Sequence, residues 1–396
     1  MSGPVTPAPA RARIESVDLL RGVIMILMAL DHTRDYFGAP VNPTDLTTTT
    51  VALFFTRWVT HFCAPVFFLL TGTGAFLALR RRSVAGLSRF LLTRGLWLIF
   101  LEIVVVRCLG WQFNFDYQLT VLTVLWALGW AMIVLSALVW LPPGVVGAVG
   151  AALIIGHNLF DGVQASSLGA FEPLWTTLHA PGVLWTDGSH TVFAAYVLIP
   201  WIGVTATGYA LGQVYRWEPE RRRRFLLRMG LALVVAFLAL RAVNLYGDPS
   251  LWGRQRSGVF TVLSFINTTK YPPSLLYLLM TLGPALLFLR AVDGRLPRAL
   301  QPALVFGKVP MFYYALHIVL IHLFAVGACL ARYGSARWMF ESPTLDRYPV
   351  TQPPGWPAPL PMVWLIWVSV VLLLYPVCRW FAGVKRRHTD WWLSYL

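Results

Sequence analysis

The sequence predicts an all-α membrane protein, a bundle of about ten transmembrane helices with both termini in the cytoplasm. Of its 396 residues, 57% are hydrophobic and only 12% are charged, and the mean hydropathy is +0.63. A soluble domain normally carries about 25% charged residues. The net charge of +15 comes from Lys and Arg clustered between apolar stretches, a pattern that indicates membrane topology and argues against a nucleic-acid partner.

The N-terminal segment divides into a tail and a first helix. Residues 1–12, rich in Pro and Ala, predict a disordered cytoplasmic tail, and residues 13–396 predict a single integral membrane domain. The apolar run 22–30 has the length of a signal-peptide core, but no small-residue cleavage site follows it. We therefore expect a retained first helix that begins near Ile14.

Ten stretches meet the requirement of about 20 largely apolar residues for a transmembrane helix. Asp18 and Arg21 interrupt the first stretch, and a Pro-Pro-Gly turn separates the fourth from the fifth. The predicted spans are residues 15–36, 52–79, 94–112, 118–140, 144–160, 190–214, 225–243, 272–291, 304–331 and 360–383.

The distribution of basic residues predicts the orientation of these spans. Basic clusters follow the second, sixth, eighth and tenth spans, whereas the connection 161–189 contains no Lys or Arg. Because cytoplasmic connections carry the excess of Lys and Arg, both termini are predicted to be cytoplasmic. The clusters are Arg80–Arg82, Arg89 and Arg94; Arg216 and Arg221–Arg224; Arg290, Arg295 and Arg298; and Lys385–Arg387.

Two histidines at the ends of predicted spans are the strongest indication of chemistry. His32 ends the first span and His61 lies near the start of the second, so the predicted topology places both on the extracytoplasmic side. Ionisable groups at membrane depth are costly and therefore point to function. The long connections 161–189, 244–271 and 332–359 are predicted to roof a binding cavity over these histidines.

Charged neighbours suggest catalytic roles for the first histidine. An imidazole suits general acid–base or nucleophilic chemistry near neutral pH. We expect Asp31 or Asp35 to orient His32, and Arg34 to stabilise developing negative charge. The alternative is a helix-end histidine bonded to a backbone carbonyl or water, with solvated charges around it.

His61 follows Arg57 by one helical turn, so the two side chains share a face. We expect His61 to share or orient the proton, and Arg57 to bind substrate or stabilise an oxyanion. A histidine in the bundle interior with one hydrogen-bond partner is the alternative interpretation of His61.

The first span also carries a stripe that links its two ends. Arg21 and His32 fall on one helix face, about 16 Å apart along the axis, and Asp18 lies about 60° away. This spacing suggests a pathway across the bilayer, with Arg21 and Asp18 binding a cofactor at the cytoplasmic end. Alternatively, Asp18 and Arg21 simply neutralise each other as an i,i+3 pair.

Further candidates lie beyond the sixth span. Lys270 and Tyr271, with Asn267 just before them, are predicted to bind an anionic or sugar substrate, although Lys270 could instead snorkel to headgroups. His317 is predicted to face the same cavity or, alternatively, to pack in the core.

Other patterns narrow the chemistry. The four cysteines all lie in apolar stretches without metal-like spacing, so no metal site is predicted. The chain has no P-loop and no dinucleotide fingerprint. The cysteines are Cys63, Cys108, Cys329 and Cys378.

Gly208 and Gly212 predict a close helix–helix contact.

Several motifs spread along the chain resemble the heparan-alpha-glucosaminide N-acetyltransferase catalytic family, in its bacterial branch. They are Ser16-Val-Asp18-Leu-Leu-Arg21-Gly22, His61-Phe-Cys-Ala-Pro-Val-Phe-Phe-Leu-Leu-Thr-Gly72, Ile199-Pro-Trp-Ile-Gly203, Lys270-Tyr-Pro-Pro-Ser-Leu-Leu-Tyr277 and Val309-Pro-Met-Phe-Tyr-Tyr-Ala-Leu-His317.

This resemblance implies an acyltransferase of the bacterial plasma membrane that uses cytosolic acetyl-CoA to acylate an extracytoplasmic glycan or lipid-linked sugar. The wider relatives also place a functional histidine near the end of the first helix, in line with His32. In the eukaryotic enzyme the position matching His32 is Asn, and its proposed catalytic histidine lies further along the loop. Between Thr33 and Phe54 this chain has no histidine, so that role falls to His32 or His61.

Two other functions stay open at this point. In a proton-coupled transporter of a small solute or lipid-linked intermediate, the same histidines would form a proton relay. In a noncatalytic scaffold, replacing them would change no activity. Membrane lipids are expected partners, a homodimer is compatible with the sequence, and direct transfer is not distinguished from an acyl-histidine intermediate.

Overall fold

A computed structural model describes residues 14–388 and 390–394, so the predicted tail, 1–12, lies outside the described residues. The helices are α1 Glu15–Phe37, α2 Val51–Trp58, α3 Cys63–Ala78, α4 Val84–Phe100, α5 Val124–Leu138, α6 Pro143–Gly156, α7 Glu172–Leu178, α8 Leu198–Leu211, α9 Pro219–Val243, α10 Gly258–Ile266, α11 Leu275–Val292, α12 Ala303–Lys308, α13 Pro310–Tyr333 and α14 Leu360–Arg387. A π-helical segment, Leu101–Trp111, continues α4, and the strands are β1 Leu119–Leu122, β2 Gly182–Thr186 and β3 Thr191–Ala194.

The helical segments are those of an integral membrane protein. Within the described residues, six are long and apolar enough to cross a bilayer. The other four predicted spans also contain a helix, but these helices are shorter or, like α1, carry charged residues. Ten crossings and the cytoplasmic placement of the termini stay predictions. The six segments are Val51–Ala78, Pro143–Phe160, Pro219–Val243, Leu275–Val292, Pro310–Tyr333 and Leu360–Arg387.

Helix α1 lies at the centre of the bundle and packs against α3, α12, α13 and α14. Glycine allows its close crossing with α12. A Cβ atom on Gly22 would lie 1.9 Å from the carbonyl oxygen of Ala303, and one on Gly307 would lie 1.8 Å from that of Asp18. This backbone-to-backbone contact fixes the position of the charged end of α1.

A second close crossing joins α3 and α8. A Cβ atom on Gly208 would lie 2.2 Å from the carbonyl oxygen of Leu69, and one on Gly212 would lie 2.5 Å from the Cβ atom of Phe76. The close contact predicted for Gly208 and Gly212 is therefore confirmed.

A small three-stranded sheet is the main departure from the predicted all-α fold. Its order is β1–β3–β2, with β1 parallel and β2 antiparallel to β3. Strands β1 and β3 occupy the beginnings of the predicted spans 118–140 and 190–214. A short apolar run such as Leu119–Leu122 can form a strand or a helix, and periodicity alone does not distinguish the two.

We predict that Gly22→Ala lowers the melting temperature of the detergent-solubilised protein. The added methyl group cannot fit against the α12 backbone, and overpacking of this kind costs about 1–3 kcal/mol. Gly327→Ala is the matched control, because a Cβ atom there has no neighbour within 4 Å. Equal melting temperatures for the two variants would contradict the α1–α12 contact.

Candidate active site

The C-terminal end of α1 opens into a cavity of about 390 Å³, here called the His32 cavity. All three connections that were predicted to form a roof contribute to its lining, through Pro181, Lys270 and Tyr348 among others. Strands β1 and β3 also line it. Among the predicted site residues, those on the wall are His32, Arg34, Asp35, Arg57, Lys270 and Tyr271.

Two arginines and two aspartates form a charge cluster beside His32. Arg57 Nη1 donates to both carboxylate oxygens of Asp31, at 2.9 and 2.8 Å. Arg34 Nη2 donates to Asp31 at 2.9 Å and to Asp35 at 2.6 Å. The expectation that Asp31 or Asp35 orients His32 is not what the structure shows, because arginines hold both carboxylates.

His317, on α13, makes the hydrogen bond to His32 instead. Nδ1 of His32 lies 2.7 Å from Nε2 of His317, and the two rings are stacked with centroids 4.9 Å apart. Nδ1 of His317 lies 3.0 Å from the carbonyl oxygen of Tyr313. His317 is buried behind His32 and does not line the cavity.

This chain of contacts determines which nitrogen of His32 carries a proton. The Tyr313 carbonyl can only accept, so Nδ1 of a neutral His317 is the donor and its Nε2 is the acceptor. Nδ1 of His32 must therefore donate to His317. Nε2 of His32 is left with a lone pair, and no other part of the described chain forms a hydrogen bond with it.

Aromatic side chains hold the other side of the His32 ring. Trp111 meets it edge-on with ring centroids 4.7 Å apart, and Tyr314 does so at 6.4 Å. Trp111 is the last residue of the π-helical segment, a form that is often found at functional sites. Glu102, in the same segment, accepts hydrogen bonds from the Thr123 hydroxyl and the Leu125 amide, which ties the segment to α5.

Lys270 adds a positive charge to the cavity wall. The residue is 8% exposed, and its Nζ atom lies 5.1 Å from the ring centroid of Tyr271 and 5.9 Å from that of Tyr196. In residues 14–388 and 390–394, no carboxylate lies within ion-pair distance of Lys270. Burial raises the pKa of Tyr271. The nearby positive charges of Lys270 and Arg57 lower it by more than burial raises it, so the pKa lies below its usual value.

Besides His317, two further residues predicted for this site, His61 and Asn267, lie away from the cavity wall. His61 is buried and its ring packs edge-on against Tyr277, with centroids 5.4 Å apart. The amide of Asn267 donates to the carbonyl oxygen of Thr44, which joins two connections. The structure therefore brings His32, and not His61, into the cavity.

A second cavity, of about 270 Å³, lies at the opposite end of α1 and is called here the Arg21 cavity. Four cations line it: Arg21, Arg94, Lys308 and Lys385. No described acidic residue belongs to its wall. The predicted i,i+3 pair is present as well, since Arg21 Nη1 donates to Asp18 at 2.9 Å.

The two cavities are separated by a thin layer of packed side chains. On α5, Val124 lines the His32 cavity and Leu128 lines the Arg21 cavity. On α13, Tyr314 lines the His32 cavity and Met311 lines the Arg21 cavity. Residues three or four apart are about 4.5–6 Å apart along a helix axis. On α1 the predicted stripe passes between the cavities through buried methionines (Met25 and Met28).

Several cavity residues were not identified from the sequence. Trp111 and Tyr348 belong to no motif that marks them as site residues, and Tyr196 lies just before α8 without a recognisable motif. Lys308 resembled the many other basic residues that topology alone explains. Only the fold brings these residues together.

Comparison with known proteins identifies one family. The family model described as heparan-alpha-glucosaminide N-acetyltransferase, catalytic, matches residues 13–252, more than half of the chain. The match contains α1–α9, and with them His32 and the charge cluster, whereas Lys270 and His317 lie beyond it. No curated protein matches the chain.

We predict that Asp31→Asn strongly destabilises the protein. Breaking a buried ion pair leaves an uncompensated charge and costs about 3–5 kcal/mol. Asp346→Asn is the control, because the Asp346–Arg347 pair is exposed and should contribute little. Thermal unfolding in detergent measures both, and an unchanged melting temperature for Asp31→Asn would contradict the role of the cluster.

Proposed function

Because the chain belongs to the heparan-alpha-glucosaminide N-acetyltransferase catalytic family, we propose that it is a membrane-embedded acetyltransferase. It moves an acetyl group from acetyl-CoA, bound in the Arg21 cavity, to an acceptor in the His32 cavity. The observation that carries this proposal is the His32–His317 hydrogen bond, which leaves Nε2 of His32 without a hydrogen-bond partner among the residues that the structure describes.

In this mechanism His32 is the general base. Its Nε2 takes the proton of an acceptor hydroxyl or amine as that group attacks the thioester carbonyl. The tetrahedral intermediate then collapses and expels the thiolate of coenzyme A. In the alternative route, Nε2 itself attacks the thioester and carries the acetyl group briefly. Both routes need the same tautomer of His32.

His317 is a positioning residue in either route. It accepts the proton of His32 Nδ1 and is itself fixed by the Tyr313 carbonyl, so His32 keeps one tautomer and one ring orientation. Arg34 and Arg57 lie on the cavity wall. We assign to them the stabilisation of the oxyanion, with Asp35 holding Arg34 in place.

The binding site of the donor, acetyl-CoA, is assigned from the positive charge of the Arg21 cavity. Coenzyme A carries phosphate groups, and four cations line the Arg21 cavity, with no acidic residue in its described wall. Arg21 is also paired with Asp18. The narrow chain of acetyl-CoA that carries the acetyl group would pass between α5 and α13, past Met25 and Met28. Methionine side chains are flexible and adapt to such a passage.

The acceptor end is assigned from the shape and charge of the His32 cavity. A volume of about 390 Å³ lies within the range of small-molecule sites, about 300–1,000 Å³. Trp111, Tyr196 and Tyr271 give it aromatic faces, and Lys270 offers a charge for an anionic or hydroxyl-rich group. We propose a glycan or lipid-linked sugar as the acceptor, on the extracytoplasmic side of the bacterial plasma membrane.

A proton-coupled transporter is the second candidate. Two cavities at opposite ends of one helix, closed by a thin layer, also fit alternating access. The two functions differ in one observable: only the transferase consumes acetyl-CoA.

We predict that His32→Ala binds acetyl-CoA normally but transfers acetyl groups about 10²–10⁴ times more slowly, the usual contribution of a general base. Calorimetry with acetyl-CoA, and with ATP as a control ligand, measures binding. Transfer of labelled acetyl to a membrane glycan extract measures turnover. His317→Ala should lower kcat while leaving donor binding intact.

His190→Ala is the control for these variants, because His190 is exposed and pairs only with neighbouring residues of its own turn. Full turnover by a folded His32→Ala protein would exclude the assigned base. Absence of acetyl-CoA binding to the folded wild-type protein would make the transporter the better explanation. His61→Gln tests whether His61 shares the proton, as the sequence suggested.

We predict that Lys308→Ala weakens acetyl-CoA binding about 10–100-fold, because a hydrogen bond to a charged group contributes about 1.5–3 kcal/mol. Arg290→Ala is the matched control, since Arg290 is exposed at the end of α11 and does not line the Arg21 cavity. Equal affinities of the two variants, measured by calorimetry, would place the donor elsewhere.

A further inference from the structure

A compact group of possible metal ligands lies outside both cavities, at the end of α6. It consists of His157, Asp161 and His179, each of which offers one nitrogen or oxygen atom within 4.8 Å of the others. His157 and Asp161 follow α6 directly, whereas His179 follows α7 in the next connection. The group therefore joins the end of α6 to the segment after α7, with His157 and His179 22 residues apart.

The ligand atoms of this group have few other partners. His157 is 2% exposed, yet neither ring nitrogen makes a hydrogen bond of normal geometry, although the Pro273 carbonyl lies close to the ring. Oδ1 of Asp161 is also buried without a hydrogen-bond partner. Buried polar atoms are normally bonded, so unsatisfied atoms on neighbouring side chains indicate that this group can bind an ion.

The surrounding residues hold these side chains in place. Asn158 Nδ2 donates to Oδ2 of Asp161 at 2.8 Å, which leaves Oδ1 directed to the group. Trp175 stacks on His179 with ring centroids 4.9 Å apart. Metal ligands are usually oriented by contacts of this kind.

The donor set suits a divalent transition metal. Two imidazoles and one carboxylate are typical ligands of zinc, with bonds of about 2.0–2.2 Å. A tetrahedral ion with such bonds places its ligand atoms about 3.3–3.5 Å apart. The ligand atoms lie within 4.8 Å of one another, and His179 Nε2 lies 3.7 Å from Asp161 Oδ1, close to the spacing that such an ion needs. Three protein ligands leave the fourth position for water. His179 Nε2 donates a hydrogen bond to the His157 carbonyl at 2.8 Å, so the proton moves to Nδ1 of His179 when Nε2 binds the ion.

We propose that His157, Asp161 and His179 bind one zinc-like divalent ion, a site that the sequence alone did not predict. The ion holds the segment after α7 against α6. That segment leads within two residues to Pro181, on the wall of the His32 cavity. The metal therefore supports the roof of the cavity and takes no part in acyl transfer.

The test is metal binding by the full-length protein, purified without a histidine tag. After incubation with zinc chloride and extensive dialysis, elemental analysis should find one zinc per chain, and cobalt substitution should give the visible absorption of a tetrahedral site. His179→Gln and Asp161→Asn should lose about 100-fold or more in zinc affinity, beyond the about 10–100-fold that loss of a supporting contact costs.

His190→Gln is the matched control, because His190 and Asp187 form an exposed pair in the same connection, with side chains 42% exposed. It should bind zinc like the wild-type protein. Size-exclusion chromatography selects folded protein for each variant, and Asp161→Asn, at a partly exposed position, keeps the test valid if a histidine variant does not fold. Zinc that dialysis removes completely from the wild-type protein, or equal affinities of His179→Gln and His190→Gln, would overturn the proposal.

Discussion

The buried charge cluster at the end of α1 is the constraint on which the candidate site depends. Charged groups at membrane depth must be paired, because each is costly alone. Arg57, from α2, meets Asp31 on α1, while Arg34 bridges Asp31 and Asp35. This pairing fixes α1 against α2. His32, which directly follows Asp31, is thereby held at the wall of the cavity.

Much of the fold could be predicted from the sequence, and the sheet could not. Long apolar stretches are a strong signal for membrane helices, so a helix lies at each predicted span. The four-residue strands carry too short a pattern to identify. The sheet matters for function, because residues of β1 and β3 lie on the wall of the His32 cavity.

Arg57, Lys270 and Tyr271 were predicted as site residues and lie on the cavity wall with His32, whereas the contacts between helices could not be predicted. His32 stood out because an ionisable residue at a helix end is unusual in a membrane protein. Its partner, His317, lies 285 residues away, and spacing cannot reveal contacts between distant helices. The same limit hid the group formed by His157 and His179. Separately, each resembled an ordinary helix-end or loop histidine.

Direction of transfer is the central claim, and proteoliposomes test it most directly. Labelled acetyl-CoA is sealed inside vesicles that hold the protein in one orientation, and a membrane-impermeant sugar acceptor is supplied outside. The account predicts labelled acceptor outside the vesicles when the Arg21 cavity faces inward, with unlabelled coenzyme A kept inside. Label that appears only on an acceptor placed in the donor compartment would contradict transfer between two cavities on opposite sides of the membrane.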